Sequence, residues 1–150
     1  MGQGETLAAA VASAQALGVA EADPSNDLDG WDASVKASVL ANALMDANMR
    51  PQDVARISLG AEAMRQAQAT LAPGRALKQV AEARREADGS VVAEVRLLAL
   101  PASDVLGLLV GREVGLRLST DTMGELTIIE GDGGPEQTAL GVLADIVAVA

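Results

Sequence analysis

The residue types best suited to chemistry are concentrated in EADPSNDLDGWDASVK, residues 21–36, which holds four Asp and one Glu and ends at a lysine. Carboxylates can hold an ammonium group, and a lysine can exchange a proton with an oxygen atom. Asp32 and Lys36 are four positions apart and therefore share one face of a helix. A loop before that helix can bring Glu21 and Asp27 to the same end. The pattern favours a site for a small, cationic, amine-bearing substrate.

The same acids also have a purely structural interpretation. Asp29 can act as the N-cap of the helix, and Asp32 can complete a capping box. Carboxylates near a helix N-terminus are favoured by the helix dipole by about 0.3–1 kcal/mol each. Asp32 and Lys36 would then form a simple i, i+4 ion pair. Capping leaves three acids of the stretch unexplained, namely Glu21, Asp23 and Asp27. The local sequence leaves both interpretations open.

A calcium loop is another hypothesis for this stretch, because Asp27, Asp29 and Gly30 resemble the middle of an EF-hand. That register places Ser25 at the first ligand position and Lys36 at the last, where a bidentate glutamate belongs. A cation in a coordinating position argues against the calcium loop. We therefore expect no metal site.

Composition narrows the remaining chemistry. The 150 residues contain no cysteine and no histidine, which excludes disulfides, thiolate and imidazole ligands, and catalysis by either side chain. A net charge of -10 with scattered arginines argues against nucleic acid and membrane surfaces as partners. The opening MGQGETLAAAV lacks a basic leader pattern, and no apolar run is long enough to span a bilayer. We expect a cytoplasmic protein with one domain over residues 1–150.

Helix-forming sequence dominates the first half of the chain. ETLAAAVASAQALG predicts a helix with Thr6 as N-cap and Gly18 as C-cap. WDASVKASVLANALMDANM predicts a second helix with an apolar stripe of Val35, Val39, Leu40, Leu44 and Met45. Pro51 opens a short helical turn, and residues 61–71 predict another helix. The only aromatic residue, Trp31, is expected to pack over the loop that precedes the second helix, in the core or at a dimer contact.

Strand patterns dominate the second half. ALKQVAEAR and SVVAEVRLLAL flank Asp88 and Gly89, which predicts an antiparallel hairpin. After a short helix within residues 103–109, EVGLRLS and ELTIIE predict a second hairpin, and TALGVLADIVAVA predicts a terminal helix. Helices followed by hairpins indicate an α+β fold, with helices packed on one face of a mixed, mainly antiparallel sheet.

The acidic stretch resembles the substrate-site signature of homoserine dehydrogenases. The matching residues are Glu21, Ala22, Asp23, Pro24, Asp27, Gly30, Asp32 and Lys36. The preceding TLAAAVASAQALG is similar to the family's helix that leads into this signature. EGDGGPEQTALGVLADIV is similar to its C-terminal glycine-rich loop and helix. The resemblance extends over nearly the whole chain.

The resemblance implies NAD(P)-dependent interconversion of L-homoserine and L-aspartate 4-semialdehyde, a step toward threonine and methionine. Lys36 would be the general acid/base, and Asp32 would orient it. Glu21 would bind the substrate amine, and Asp27 would organise the substrate or its water. A glycine pair in the C-terminal loop would approach the nicotinamide, namely Gly133 and Gly134, although a helix N-terminal turn explains these glycines equally well. The family also forms dimers through this domain, which implies a homodimer.

The family further carries a Rossmann-type nucleotide domain, and no strand followed by GxGxxG and a helix occurs in these 150 residues. We therefore expect very low or absent turnover from this chain alone. A non-catalytic amino-acid-binding or dimerisation module remains the alternative.

Overall fold

A computed structural model describes residues 6–16, 18, 20–131 and 135–149. The chain divides into two compact units, an N-terminal unit of residues 1–102 and a C-terminal unit of residues 103–150. Helices and strands occur in both units, in agreement with the predicted α+β class. No helix among the described residues is long and apolar enough to cross a membrane.

The described part of the N-terminal unit contains four helices and a three-stranded sheet. The helices are α1 (Leu7–Ala16), α2 (Ser25–Leu28), α3 (Trp31–Met45) and α4 (Ala61–Ala69), with a 3₁₀ turn at Pro51–Asp53. The strands are β1 (Ala55–Arg56), β2 (Arg75–Arg85) and β3 (Val91–Pro101). The predicted caps of α1 are present: Thr6 Oγ1 accepts from Ala9 N at 3.2 Å, and Gly18 adopts a φ of 68°.

Strands β2 and β3 form the predicted antiparallel hairpin. Their register runs from Arg75 opposite Pro101 to Arg85 opposite Val91. Gly89 in the connecting turn has a φ of 88°, a conformation that glycine adopts at little cost. Strand β1, which the sequence pattern did not predict, pairs in parallel with β3 and makes the sheet mixed.

Helix α3 packs against β2 and β3 through its small residues, not through its large apolar ones. The buried positions of α3 are Ser34, Ala37, Ser38 and Ala41. The predicted stripe was wrong as a description of the buried face, since three of its members are exposed, namely Val39, Leu40 and Leu44. Small side chains let the helix backbone approach the sheet closely, and Ala37 of α3 forms the core cluster there with Val54, Ala93 and Val95.

The two buried serines are compatible with this core because their hydroxyls are satisfied locally. Ser34 Oγ donates to the Gly30 carbonyl at 2.7 Å, and Ser38 Oγ donates to the Val35 carbonyl at 2.8 Å. A buried hydroxyl without a partner would carry the full cost of its desolvation. The face of α3 that contacts the sheet therefore contains two polar groups, and each of them has a hydrogen-bond partner.

The C-terminal unit contains α5 (Val105–Leu108), β4 (Val114–Thr120), β5 (Gly124–Glu130) and α6 (Pro135–Val149). Strands β4 and β5 form the second predicted hairpin. Asp104 caps α5 by accepting from Leu106 N at 2.8 Å, and it also accepts two hydrogen bonds from Arg117 at 2.7 and 3.1 Å. These bonds from the Arg117 guanidinium hold the pKa of Asp104 below its ordinary value.

Candidate functional site

The acidic stretch lies in the N-terminal unit, at the start of α3. Gly30 precedes the helix with a φ of 70°, and no side chain caps the helix there. A Cβ at Gly30 would lie 3.3 Å from Val95 Cγ1, so the helix begins directly above the core. The predicted cap at Asp29 and the capping box with Asp32 were wrong. A left-handed glycine makes the entry turn tight enough to bring the helix start onto the sheet.

Asp29 instead binds a distant segment of the unit. Its Oδ1 accepts a hydrogen bond of 2.8 Å from Ser58 Oγ. Its backbone N–H donates to the Ser25 carbonyl at 2.7 Å and so ends α2. The carboxylate is therefore part of a tertiary contact, which the local sequence did not indicate.

Asp32 and Lys36 form the predicted i, i+4 ion pair. Lys36 Nζ lies 2.6 Å from Asp32 Oδ2, and the two side chains are 66% and 48% exposed. Solvent and small molecules can reach both charged groups. An exposed pair of this kind contributes little to stability. Its open position leaves the ammonium group available to a ligand.

The other two predicted binding acids lie before α3 with exposed side chains. Glu21 and Ala22 are held through their carbonyls, which accept from Gln15 Nε2 at 2.9 and 3.2 Å. The Asp27 carbonyl accepts from Gly30 N at 3.2 Å. No hydrogen bond or ion pair within the described residues joins either carboxylate to Asp32 or Lys36. The structure thus brings Asp32 and Lys36 into contact and leaves Glu21 and Asp27 facing solvent.

Asp23 has a structural role in the same loop. Its Oδ1 accepts from Ser25 N at 3.1 Å, which shapes the turn into α2. Hydrogen bonds from Ser25 lower the pKa of Asp23 below its ordinary value. The carboxylate therefore stays charged and adds to the negative potential at this end of the unit.

Trp31 lies half-buried in the first turn of α3, next to Asp32. The Arg56 guanidinium stands 5.1 Å from the centroid of its ring, a cation–π distance. The sequence predicts Trp31 over the preceding loop but gives no sign of Arg56, which lies 25 positions later in the chain. No local pattern signals such a partner.

The described residues show no features of a metal or dinucleotide site. Within them, no group of three or more acidic side chains could hold a metal ion. The strand-to-helix connections that the structure describes in full, residues 57–60 and 102–104, carry at most one glycine each. A GxGxxG turn needs three glycines in such a connection, so these segments do not fit a dinucleotide phosphate. The predicted nicotinamide contacts, Gly133 and Gly134, lie outside the described residues.

Comparison with known proteins places this geometry in one family. The family model for homoserine dehydrogenase matches residues 1–147. The NAD(+)-dependent homoserine dehydrogenase of Pseudomonas canavaninivorans is 32% identical over 143 residues, covering 95% of this chain and 41% of that protein. The homoserine dehydrogenase of Lactococcus lactis is 32% identical over 139 residues, covering 93% of this chain and 32% of that protein. The chain thus spans less than half the length of these relatives.

Solved structures give the same result. The homoserine dehydrogenase of Thiobacillus denitrificans superposes with a TM-score of 0.79 at 26% identity, covering 97% of this chain and 33% of that one. The S. aureus enzyme superposes with a TM-score of 0.80 at 23% identity, over 99% of this chain and 37% of that one, which supports the fold. With the family match over almost all of its residues, the chain belongs to the homoserine dehydrogenase family.

Proposed function

We propose that this chain is the substrate-binding part of a homoserine dehydrogenase, an oxidoreductase that interconverts L-homoserine and L-aspartate 4-semialdehyde with NAD(P). The observation that carries the proposal is the exposed Lys36–Asp32 pair, with its 2.6 Å separation, which follows the exposed carboxylates of Glu21 and Asp27 in the chain. Such a site offers charge to a substrate ammonium and a proton to a substrate oxygen.

Each site residue has a distinct role in this proposal. Glu21 binds the substrate ammonium, for which its exposed carboxylate is free. Asp27, which lies in α2, orders the substrate or a bound water. Asp32 holds Lys36 in place through the ion pair, and Lys36 handles the proton at the reacting oxygen. The roles place the substrate across the start of α3.

The ion pair as observed suits the reduction of the semialdehyde. The Lys36 ammonium would donate a proton to the carbonyl oxygen as the semialdehyde is reduced to the alcohol of homoserine. Lys36 then recovers a proton from solvent, which its 66% exposure allows. In the reverse direction the same amine takes the hydroxyl proton. When bound, the nicotinamide supplies or accepts the hydride.

We further propose that the 150 residues bind substrate but do not turn it over by themselves, because the described segments do not fit a dinucleotide phosphate. The purified chain with homoserine and NADP should produce no NADPH. Steady NADPH formation above a protein-free control would contradict this expectation.

Calorimetric titration with L-homoserine tests the substrate site. Replacing Glu21 by Gln removes a charge-assisted bond to the ammonium, and we expect binding to weaken about tenfold to a hundredfold. Glu62→Gln is the matched control, since Glu62 is an exposed acid on α4 of the same unit. Threonine and aspartate, titrated in parallel, show whether the hydroxyl chain or only the amino-acid group is recognised.

Two results would count against the substrate site. Equal homoserine affinity in wild-type chain and Glu21→Gln would remove Glu21 from the proposal. If the chain bound none of the three amino acids, a dimerisation module would be the better description of it.

We also propose that the chain forms a homodimer. Three large aliphatic side chains of α3 are exposed, namely Val39, Leu40 and Leu44. Covering them would remove apolar surface from water, which is favourable. Sedimentation should show a dimer that Leu44→Lys weakens, while Met123→Lys, in the β4–β5 turn, should leave it intact. A wild-type monomer at high concentration would refute the dimer.

A further inference from the structure

The segment that begins at Arg56, the last residue of β1, runs alongside the turn that begins α3 and contacts it three times. The Arg56 guanidinium stands 5.1 Å from the Trp31 ring centroid. Ser58 Oγ donates to Asp29 Oδ1 at 2.8 Å. The Leu59 N–H donates to the Leu28 carbonyl at 2.6 Å. We call residues 56–59 the strap and residues 28–31 the acidic turn.

The acidic turn connects two parts of the proposed substrate site. Asp27 lies just before it, and Asp32 lies just after it. Helix α2 has only four residues, which is too short to be stable without tertiary contacts. Two of the strap contacts are between side chains and one is between backbones, and together they restrain the turn at Leu28, Asp29 and Trp31. Gln79 Nε2 adds a weaker contact to the Asp27 carbonyl at 3.5 Å.

The side-chain contacts of the strap lie outside the core of the unit. Arg56 and Ser58 are exposed, and the core residues Ala37, Val54, Ala93 and Val95 are not among their partners in these contacts. The hydrogen bond between Ser58 and Asp29 joins two surface side chains that are 29 positions apart. An exposed contact of this kind adds little to global stability. Its main effect is therefore on the local geometry of the turn.

We propose that the strap sets the separation between Asp27 and the Asp32–Lys36 pair, which makes Ser58 and Arg56 positioning residues for substrate binding. The inference rests on the proposed substrate site. With the strap in place, the acidic turn holds both carboxylates in one arrangement before the substrate arrives. Without it, part of the binding free energy is spent on ordering the turn.

Three variants separate positioning from stability. Ser58→Ala removes the hydroxyl that binds Asp29, and Ser58→Thr keeps it. Ser90→Ala is the matched control, because Ser90 Oγ also donates to an exposed carboxylate, that of Asp88 at 2.6 Å. This control bond lies in the β2–β3 turn, near the C-terminal end of α3. Ser58→Ala and Ser90→Ala lose the same type of bond near opposite ends of α3. Ser58→Thr keeps the bond to Asp29.

Calorimetry with L-homoserine gives the first measurement. We expect Ser58→Ala to weaken binding about threefold to tenfold, and both Ser58→Thr and Ser90→Ala to stay within about twofold of the wild type. Trp31 gives a spectroscopic measurement, because it is the only aromatic residue and lies in the acidic turn. Homoserine should change its emission in the wild type, with a smaller change in Ser58→Ala at saturation.

Amide hydrogen exchange without ligand gives the third measurement. Exchange at residues 28–33 should be about fivefold to tenfold faster in Ser58→Ala than in Ser90→Ala, because the turn opens more often. Equal exchange in these variants would overturn the strap whether or not homoserine binds. Faster exchange with unchanged homoserine affinity would overturn the positioning role. If the wild type binds no homoserine, the proposed substrate site is wrong and the positioning role is wrong with it. The exchange result would still decide whether the strap restrains the turn.

Discussion

Replacing Gly30 by alanine tests how the start of α3 is built. Gly30 has a φ of 70°, and a Cβ at this position would lie 3.3 Å from Val95 Cγ1, 3.6 Å from Gln79 Nε2 and 3.7 Å from Arg56 Cβ. Val95 is only 1% exposed, so it has little room to move away. The substitution therefore meets two separate penalties, one from the backbone and one from packing.

The two penalties can be estimated separately. A left-handed conformation costs a non-glycine residue about 1–2 kcal/mol. Crowding a packed core with an extra methyl group adds about 1–3 kcal/mol. We expect Gly30→Ala to lower the free energy of unfolding of the N-terminal unit by about 2–5 kcal/mol.

Gly74→Ala is the matched control. Gly74 has a φ of 75° in the same unit, but a Cβ there would have no heavy atom within 4 Å. It should carry the backbone penalty alone, about 1–2 kcal/mol. The difference between the two variants isolates the contact with Val95.

Urea unfolding followed by Trp31 emission measures both variants, because the sole aromatic residue reports on the N-terminal unit. The packing explanation would be refuted if Gly30→Ala and Gly74→Ala destabilised the unit equally. If Gly30→Ala lost less unfolding free energy than Gly74→Ala, the estimated backbone penalty at Gly30 would also be contradicted.

Two further predictions concern the rest of the chain. Asp104 has a pKa lowered by Arg117, so its stabilising charge is present above the ordinary pKa and is lost as pH falls through the lowered one. Between neutral pH and about pH 2, the melting temperature of Asp104→Asn should therefore fall less than that of the wild type, as measured by circular dichroism. Parallel plots of melting temperature against pH for the two proteins would refute this. Ala41→Leu should destabilise the N-terminal unit by about 1–3 kcal/mol in urea unfolding, because Ala41 is 0% exposed. Ala43→Leu, on the exposed face of α3, should have almost no effect. Equal effects of the two substitutions would mean that the wrong face of α3 had been assigned to the sheet.

Local rules predicted most of the secondary structure correctly. The β2–β3 hairpin follows from alternation around a turn that contains Gly89, and both features lie within one short segment. The end of the third predicted helix differs only slightly, since α4 closes at Ala69. Strand β1 was not predicted because a strand of two residues is too short to show an alternating pattern. It also depends on β3 for its hydrogen bonds.

The buried face of α3 shows where a local rule gave the wrong answer. The hydrophobic pattern selected the large residues, yet the sheet accepts only the small face of Ser34, Ala37, Ser38 and Ala41. The i, i+3, i+4, i+7 spacing of these residues was visible in the sequence. Their burial depends on how closely the helix approaches β3, which is a property of two elements together.

The sequence by itself determined the residue types and spacing of the candidate site. Asp32 and Lys36 had to be neighbours once α3 formed, because four positions make slightly more than one helical turn. Only the tertiary structure decided that Gly30 forms the turn into the helix, that Asp29 binds Ser58 and that the Arg56 guanidinium lies over the Trp31 ring. Those partners are far apart in the chain, and they meet because β1 pairs with β3 beneath α3 and thereby carries the strap to the acidic turn.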